Sequence, residues 1–302
     1  MSTDTVNKDV PPQENPAAIA DGWADAYTPE VNVYEPHKTQ IPPVLPYLRE
    51  LWRRREFAVE MSRMRLRSQH YGTMFGTAWL ILSPLMLGVV YFVLVDIIRG
   101  GNRPEGFFTH LLAGVFAYYL FSDAVRPAAR SVVGGGRLIL NTAFPRALLP
   151  LSAVIVSIMR FLPTLPVYAI LHVATGRPIG PEMLWALAVF AEIVVLAAGV
   201  SMLVAALQVY FRDLKEFLPY LMRVWLYLSP VLWYADEVPH DYDFLLYVNP
   251  LGSMLTAWSE ALNSATTPGL EWMLVGLAWA VGAFVVGGLF FISREREFAV
   301  RL

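Results

Sequence analysis

Arginine and a few charges inside apolar stretches carry the chemistry open to this chain. Only three of its 23 basic residues are lysines, namely Lys8, Lys38 and Lys215. A P-loop cradles phosphate through G-x-x-x-x-G-K-[ST]. None of the three lysines follows a glycine, so that route to nucleotide hydrolysis is closed. Gly134-Gly135-Gly136-Arg137 is glycine-rich, but no strand precedes it, and it reads as a hinge. There is no cysteine, which excludes disulfides and thiolate chemistry. His70, His110 and His172 stand singly near the ends of apolar runs and form no metal pattern. Arg160, Glu192 and Arg223 remain, each within an apolar run, where a charge is costly and functional by default. At 1.5 Å per residue, Arg160 lies about 20 Å from one end of its run, and Glu192 about 14 Å from the opposite end of the next. Across a core of about 30 Å these depths nearly coincide. An Arg160–Glu192 ion pair is expected, either structural or part of a translocation or proton path. Arg223 has no evident partner; it meets an anionic headgroup or snorkels to an interface.

The elements that position these groups must be membrane helices. The chain is 56% hydrophobic and 16% charged, with mean hydropathy +0.47. A soluble domain carries about 25% charged residues. Lipid offers the backbone no partners, so the spans are helical. The fold expected is all-α, with six spans near 73–98, 107–125, 147–174, 183–211, 217–234 and 270–292, forming one transmembrane domain over 71–302. Residues 1–46 hold eight prolines and little apolar periodicity, which predicts a disordered tail and no cleavable signal peptide. Residues 47–70 read as an amphipathic interface helix. Leu48, Leu51, Trp52, Ala58, Val59 and Leu66 share one face, and seven arginines surround it. Phe57, Met61 and Met64 form a second apolar strip that something besides lipid covers. A nucleic-acid patch is excluded here, because an apolar span follows at once.

Charge sorting orients the helices. No lysine or arginine occurs from Val224 to Ser293. The six-span topology places 18 basic residues on one side and only Arg99, Arg103 and Arg177 on the other. The positive-inside rule makes the rich side cytoplasmic, with both termini there, in the plasma membrane. The loop of about 235–269 lies outside. Asn249-Pro250 breaks it into two pieces too short to span, which predicts two short re-entrant helices between spans five and six, or else a packed cap. Aromatic residues inside the spans (Phe116, Tyr118, Tyr119, Trp225 and Tyr227) suit a lining that stacks on sugar faces, or ordinary packing.

Several strings carry a family resemblance. Tyr71-Gly72-Thr73-Met74-Phe75-Gly76-Thr77-Ala78-Trp79 leads to Ser83-Pro84, and Asn141-Thr142-Ala143-Phe144-Pro145-Arg146 opens the third span. Tyr210-Phe211-Arg212-Asp213, Leu228-Ser229-Pro230, Asn249-Pro250-Leu251 and Glu295-Arg296-Glu297-Phe298 follow in order. Together, over about 47–302, they resemble the type-2 ABC exporter permeases for polysaccharides such as O-antigens, teichoic acids and actinobacterial galactan. Ala147 stands where that family commonly has an acid. The resemblance implies a non-enzymatic homodimer working with two copies of a separate ATPase subunit. ATP-Mg would bind in that subunit, and this chain would hold no cofactor. It implies a polyprenyl-pyrophosphate-linked glycan as cargo, with galactan favoured by the arginine-for-lysine bias of a GC-rich genome. It further implies headgroup contacts at Arg63, Arg65, Arg67 and Arg223, an ATPase-coupling segment with Arg126, Arg130 and Arg137, and an outer gate at Asn249, Pro250 and Trp258. The rival readings are a membrane-embedded glycosyl- or acyltransferase, which needs clustered acids or histidines, and a permease for another lipid or a drug.

Overall fold

The computed structural model describes residues 44–70, 74–102, 104–141 and 144–301. The expected tail over 1–46 therefore lies almost wholly outside the described residues, as do Tyr71-Gly72-Thr73, Arg103 and Thr142-Ala143. Among the described residues every regular element is helical. Val44–Arg53 (α1) and Arg55–His70 (α2) replace the single interface helix expected from 47. Pro46 sits in the first turn of α1, where its missing N–H leaves no intrahelical bond unmade.

Among the described residues, five stretches are long and apolar enough to cross a membrane: Gly76–Ile98, Phe107–Ala129, Leu148–Ala174, Pro181–Tyr210 and Leu270–Arg301. Their principal helices are Trp79–Ile98 (α3), Phe107–Ala129 (α4), Leu148–Phe161 (α7), Thr164–Ala174 (α8), Trp185–Tyr210 (α9) and Leu270–Arg294 (α13). Short helices Ser131–Gly134 (α5) and Gly136–Asn141 (α6) meet at Gly135, within the expected glycine hinge. The expected fifth span differs. Leu214–Leu228 (α10) is a 15-residue helix that stops before Ser229-Pro230. A proline pushes the residue before it out of the helical region, and Ser229 is extended (φ −100°, ψ 150°). At 1.5 Å per residue α10 covers only about 22 Å.

The helix α4 is the axis of the bundle, buried along nearly its whole length. By contrast α3 turns only Gly88, Tyr91 and Val95 inward, one stripe at helical spacing. A Cβ on Gly88 would strike the Leu112 side chain, so glycine is what lets α3 reach α4. The α9–α13 contact is closer still. Gly199 faces the backbone of Ala283 and Phe284, and Gly287 faces the Gly199 carbonyl. Without a hydrophobic drive between helices in lipid, small residues gain stability through this close packing.

Two more helices, Phe244–Val248 (α11) and Pro250–Ser259 (α12), follow an acidic loop that carries Asp236, Glu237, Asp241 and Asp243. The residues of α12 are buried from Leu251 to Trp258. Met254 lies beside Gly276 of α13, together with Glu192 of α9. Glu192 is seven residues past the start of α9, about 10 Å below that end. So α12 is sunk into the bundle rather than laid across its top.

One end of the bundle carries the acidic loop, where Arg99 meets Glu237. The opposite, arginine-rich end ties α7 to the C-terminal segment. Arg146 donates to the Glu295 carboxylate from its backbone N–H (2.6 Å) and to the Glu295 carbonyl from its guanidinium. There Tyr210 donates to Glu297 (2.7 Å). Helix α2 docks on α7 through Ala58 and Ser62, with Ser62 donating to the Ser152 carbonyl at 3.0 Å. Met61 packs into the neighbouring core, and Phe57 meets Phe144. The second apolar strip of the interface helix is thus partly covered by protein, as its composition demanded.

Candidate functional site: a charged aromatic cleft within the bundle

Three helices, α3, α4 and α7, enclose a cavity of about 300 Å³. Its polar wall is Asp123, Arg126 and Arg160, and its apolar wall includes Trp79, Phe116, Tyr119 and Phe161. The spacing on α4 explains the arrangement. Phe116, Tyr119, Asp123 and Arg126 recur at intervals of three and four, so one helix face delivers all four side chains. Asp123 bridges the two cations: Arg126 Nη2 donates to Oδ1 at 2.7 Å, and Arg160 Nη1 to Oδ2 at 3.0 Å. Two guanidiniums against one carboxylate leave the cluster at +1. Arg126 Nε–H is buried and has no acceptor.

This corrects the expected Arg160–Glu192 pair. Both depth and direction differ: Asp123, which holds Arg160, lies about 24 Å past the start of α4, and Glu192 about 10 Å past the start of α9. Arg160 turns toward α4, whereas Glu192 turns toward Gly276 and Met254. The Glu192 Oε2 is buried with no hydrogen-bond partner. Sequence reasoning missed Asp123. The available signal was an acid three residues before Arg126 within an apolar run.

The other expected site residues scatter. Arg65 faces α7, donating to Ser152 Oγ at 2.9 Å, and burial holds its guanidinium below its usual pKa. Arg63 pairs at the surface with Glu60 (3.5 Å), and Arg67 is exposed. Arg223 is exposed on α10, about 13 Å along that helix. It lies in a stripe with Phe217, Tyr220 and Tyr227, all well exposed. Of the expected lining aromatics, Phe116 and Tyr119 reach the cleft. Tyr118 does not: it is buried, and its hydroxyl donates to the Met222 carbonyl, joining α4 to α10. The exposed Tyr227 meets the buried Tyr91 edge-on.

The expected coupling segment also divides. Arg126 is not in a loop, because α4 runs on to Ala129 and turns Arg126 to Asp123. Arg130 instead lines a cleft of about 950 Å³ at the arginine-rich end, with Gln208, Arg212, Lys215 and Arg301. The Arg137 side chain lies outside the described residues.

At the expected gate, Asn249 caps α12, accepting from Leu251 N–H at 3.1 Å. It also accepts from Trp225 Nε1–H (2.7 Å) and donates to the Leu228 carbonyl and Ser229 Oγ. Pro250 occupies the first helical position, where proline is preorganised. Trp258 is buried and donates to the Ala113 carbonyl at 3.1 Å. One asparagine thus binds the break after α10 to the break before α12. An N-cap contributes about 1 kcal/mol, and a hydrogen bond about 1 kcal/mol net. Asn249→Ala is expected to destabilise the chain by about 2–4 kcal/mol on that basis, measured as the loss of thermal stability in detergent.

The acidic loop is pinned by Arg99, which grips Glu237 with both terminal nitrogens at 2.6 Å. That contact holds the Glu237 carboxyl below its ordinary 4.5. A depressed carboxyl pKa stabilises the fold above the unfolded value and loses that effect as pH falls through the folded value. Glu237→Gln is therefore expected to lower stability by about 0.5–1 kcal/mol at neutral pH, as for a partly exposed pair. In a pH series of melting temperatures the difference from wild type should vanish below the carboxylate range.

No family model matches the chain. It is similar to the O-antigen export system permease protein RfbA of Klebsiella pneumoniae, at 25% identity over 247 residues, 81% of this chain and 94% of that protein. A second Klebsiella pneumoniae protein of that description is 26% identical over 248 residues, with the same coverage. The protein of that description from Myxococcus xanthus is 26% identical over 255 residues, covering 83% and 97%.

Proposed function

We propose, from the premise that the chain is a relative of the type-2 ABC exporter permeases for polysaccharides, that it is the membrane subunit of a lipid-linked polysaccharide exporter. Its long apolar helices make it a multi-pass membrane protein. The observation that carries the reading is the exposed α10 stripe of Phe217, Tyr220, Arg223 and Tyr227. An arginine about 13 Å along a membrane helix is costly against hydrocarbon. A polar path between two copies relieves that cost, and the aromatic rings beside it offer flat faces to sugar rings. The stripe points out of the bundle, so a second copy has to supply the other wall. This supports a homodimer.

The rest of the reading follows the charge. The arginine-rich end is cytoplasmic, with both termini, in the inner membrane. Its basic cleft at Arg130, Arg212, Lys215 and Arg301 is the docking surface for two copies of an ATPase that binds ATP-Mg. The α11–α12 pair re-enters the outer half of the bilayer and gates the exit through Asn249. Arg63 and Arg67 meet anionic headgroups, and galactan is the favoured glycan. Purification of the chain from its host in mild detergent is expected to bring down a P-loop ATPase in stoichiometric amount, with ATPase activity in the fraction. A homogeneous chain without that activity contradicts the reading.

A further inference from the structure

The charged cleft has a neighbour. Phe116 and Phe161 line it and also line a second cavity, of about 310 Å³, between α4, α8, α9 and α12. The second wall is almost entirely apolar and includes Leu162, Leu165, Leu187 and Trp258. Two phenyl rings therefore separate a polar chamber from an apolar one. Leu162, Leu165 and Leu187 are themselves exposed, so the apolar chamber opens sideways from the bundle.

The depths are ordered along the membrane normal. Arg126 lies 19 residues past the start of α4, about 28 Å from that end. With a hydrocarbon core of about 30 Å, this is the headgroup level of the cytoplasmic leaflet. Leu187 lies two residues past the start of α9, near the other surface. Phe116 lies between, about 13 Å along α4. A molecule occupying both chambers has its charge at the cytoplasmic interface and its apolar part running toward the outer leaflet. A membrane lipid has that polarity.

The charge selects the headgroup. Asp123 compensates one of two guanidiniums, so the chamber is matched to one negative charge. Arginine forks match phosphate oxygens in pairs, and the buried Arg126 Nε–H still lacks an acceptor. We infer that the two cavities together form a binding site for one phosphodiester lipid, its phosphate between Arg126 and Arg160 and its chain passing Phe116 and Phe161 into the Leu187 groove. The membrane orientation of this site rests on the proposed function, whereas lipid retention can be measured without export or the ATPase.

Full-length chain purified in detergent is examined by native mass spectrometry with two probes, dioleoyl phosphatidylglycerol and mannosyl-phosphoryl-decaprenol. One lipid per chain is expected to survive gas-phase activation. The double substitution Arg126→Gln, Arg160→Gln is expected to lower retention about tenfold or more, the scale of a lost charge-assisted contact. Leu187→Trp, at an exposed position on the groove, is expected to lower retention while leaving both arginines in place. Preference for the decaprenyl probe assigns the site to a polyprenyl phosphodiester. Equal retention of both assigns it to bulk phospholipid. Retention unchanged by Leu187→Trp overturns the site, even where the arginine variant does not fold. Failure of ATPase co-purification with intact lipid retention overturns the export reading alone.

Discussion

Replacing Asp123 with alanine is expected to abolish export and to weaken the fold. The substitution leaves Arg126 and Arg160 facing one another without the carboxylate that each contacts. Removing one partner of a buried pair costs about 3–5 kcal/mol. The two arginine side chains here are 39% and 27% exposed, so solvent screening reduces the expected loss to about 1–3 kcal/mol. The second substitution in Asp123→Asn, Arg126→Gln restores the net charge of +1 and should recover part of the stability that Asp123→Asn alone loses. Thermal unfolding of the four proteins in the double-mutant cycle measures that coupling. Surface glycan in cells expressing each variant measures export separately. If Asp123→Ala exports normally, the cleft has no part in transport.

The largest structural effect is expected at Gly287. A Cβ there would meet the backbone of Gly199 on the facing helix, and no side-chain rotation relieves a clash with backbone. Overpacking a core costs about 1–3 kcal/mol when side chains can yield; Gly287→Val should exceed about 3 kcal/mol because they cannot. The variant is expected to fail to accumulate as a monodisperse protein. Gly282, on the same helix, faces open space: a Cβ added there would meet nothing within 4 Å. Gly282→Ala is therefore expected to be neutral or stabilising by up to about 1 kcal/mol, the helix propensity difference. Equal behaviour of the two variants in size-exclusion chromatography contradicts the close α9–α13 packing.

Much of this architecture is legible in the sequence because lipid imposes few rules and imposes them strictly. The expected runs at 107–125 and 147–174 find their counterparts in Phe107–Ala129 and Leu148–Ala174. Asn249-Pro250 marks the break between α11 and α12, because Asn caps and proline begins a helix. Ser229-Pro230 is just as visible, yet the apolar run around it hides the stop that proline imposes on α10. The site is less legible. Residue count from an assumed membrane boundary matches Arg160 with Glu192, yet Arg160 meets Asp123, about 24 Å past the start of α4, while Glu192 lies about 10 Å past the start of α9. Their azimuths depend on which neighbours pack beside α7 and α9. Gly276 and Gly199 draw α13 close to α9, turning Glu192 away from Arg160. Arg65 likewise reads as one of a basic cluster, and only the docking of α2 on α7 gives it Ser152 as a partner.

The central claim is that this chain carries a finished glycan across the membrane and does not build it. Conditional depletion of the chain in its host, followed by measurement of the length and sidedness of the lipid-linked glycan, tests that claim most directly. Full-length glycan is expected to accumulate where an impermeant glycosidase cannot reach it in intact spheroplasts. Shortened or missing glycan would contradict the claim and point to a transferase, and full-length glycan still reaching the outer face would leave the chain without a part in export.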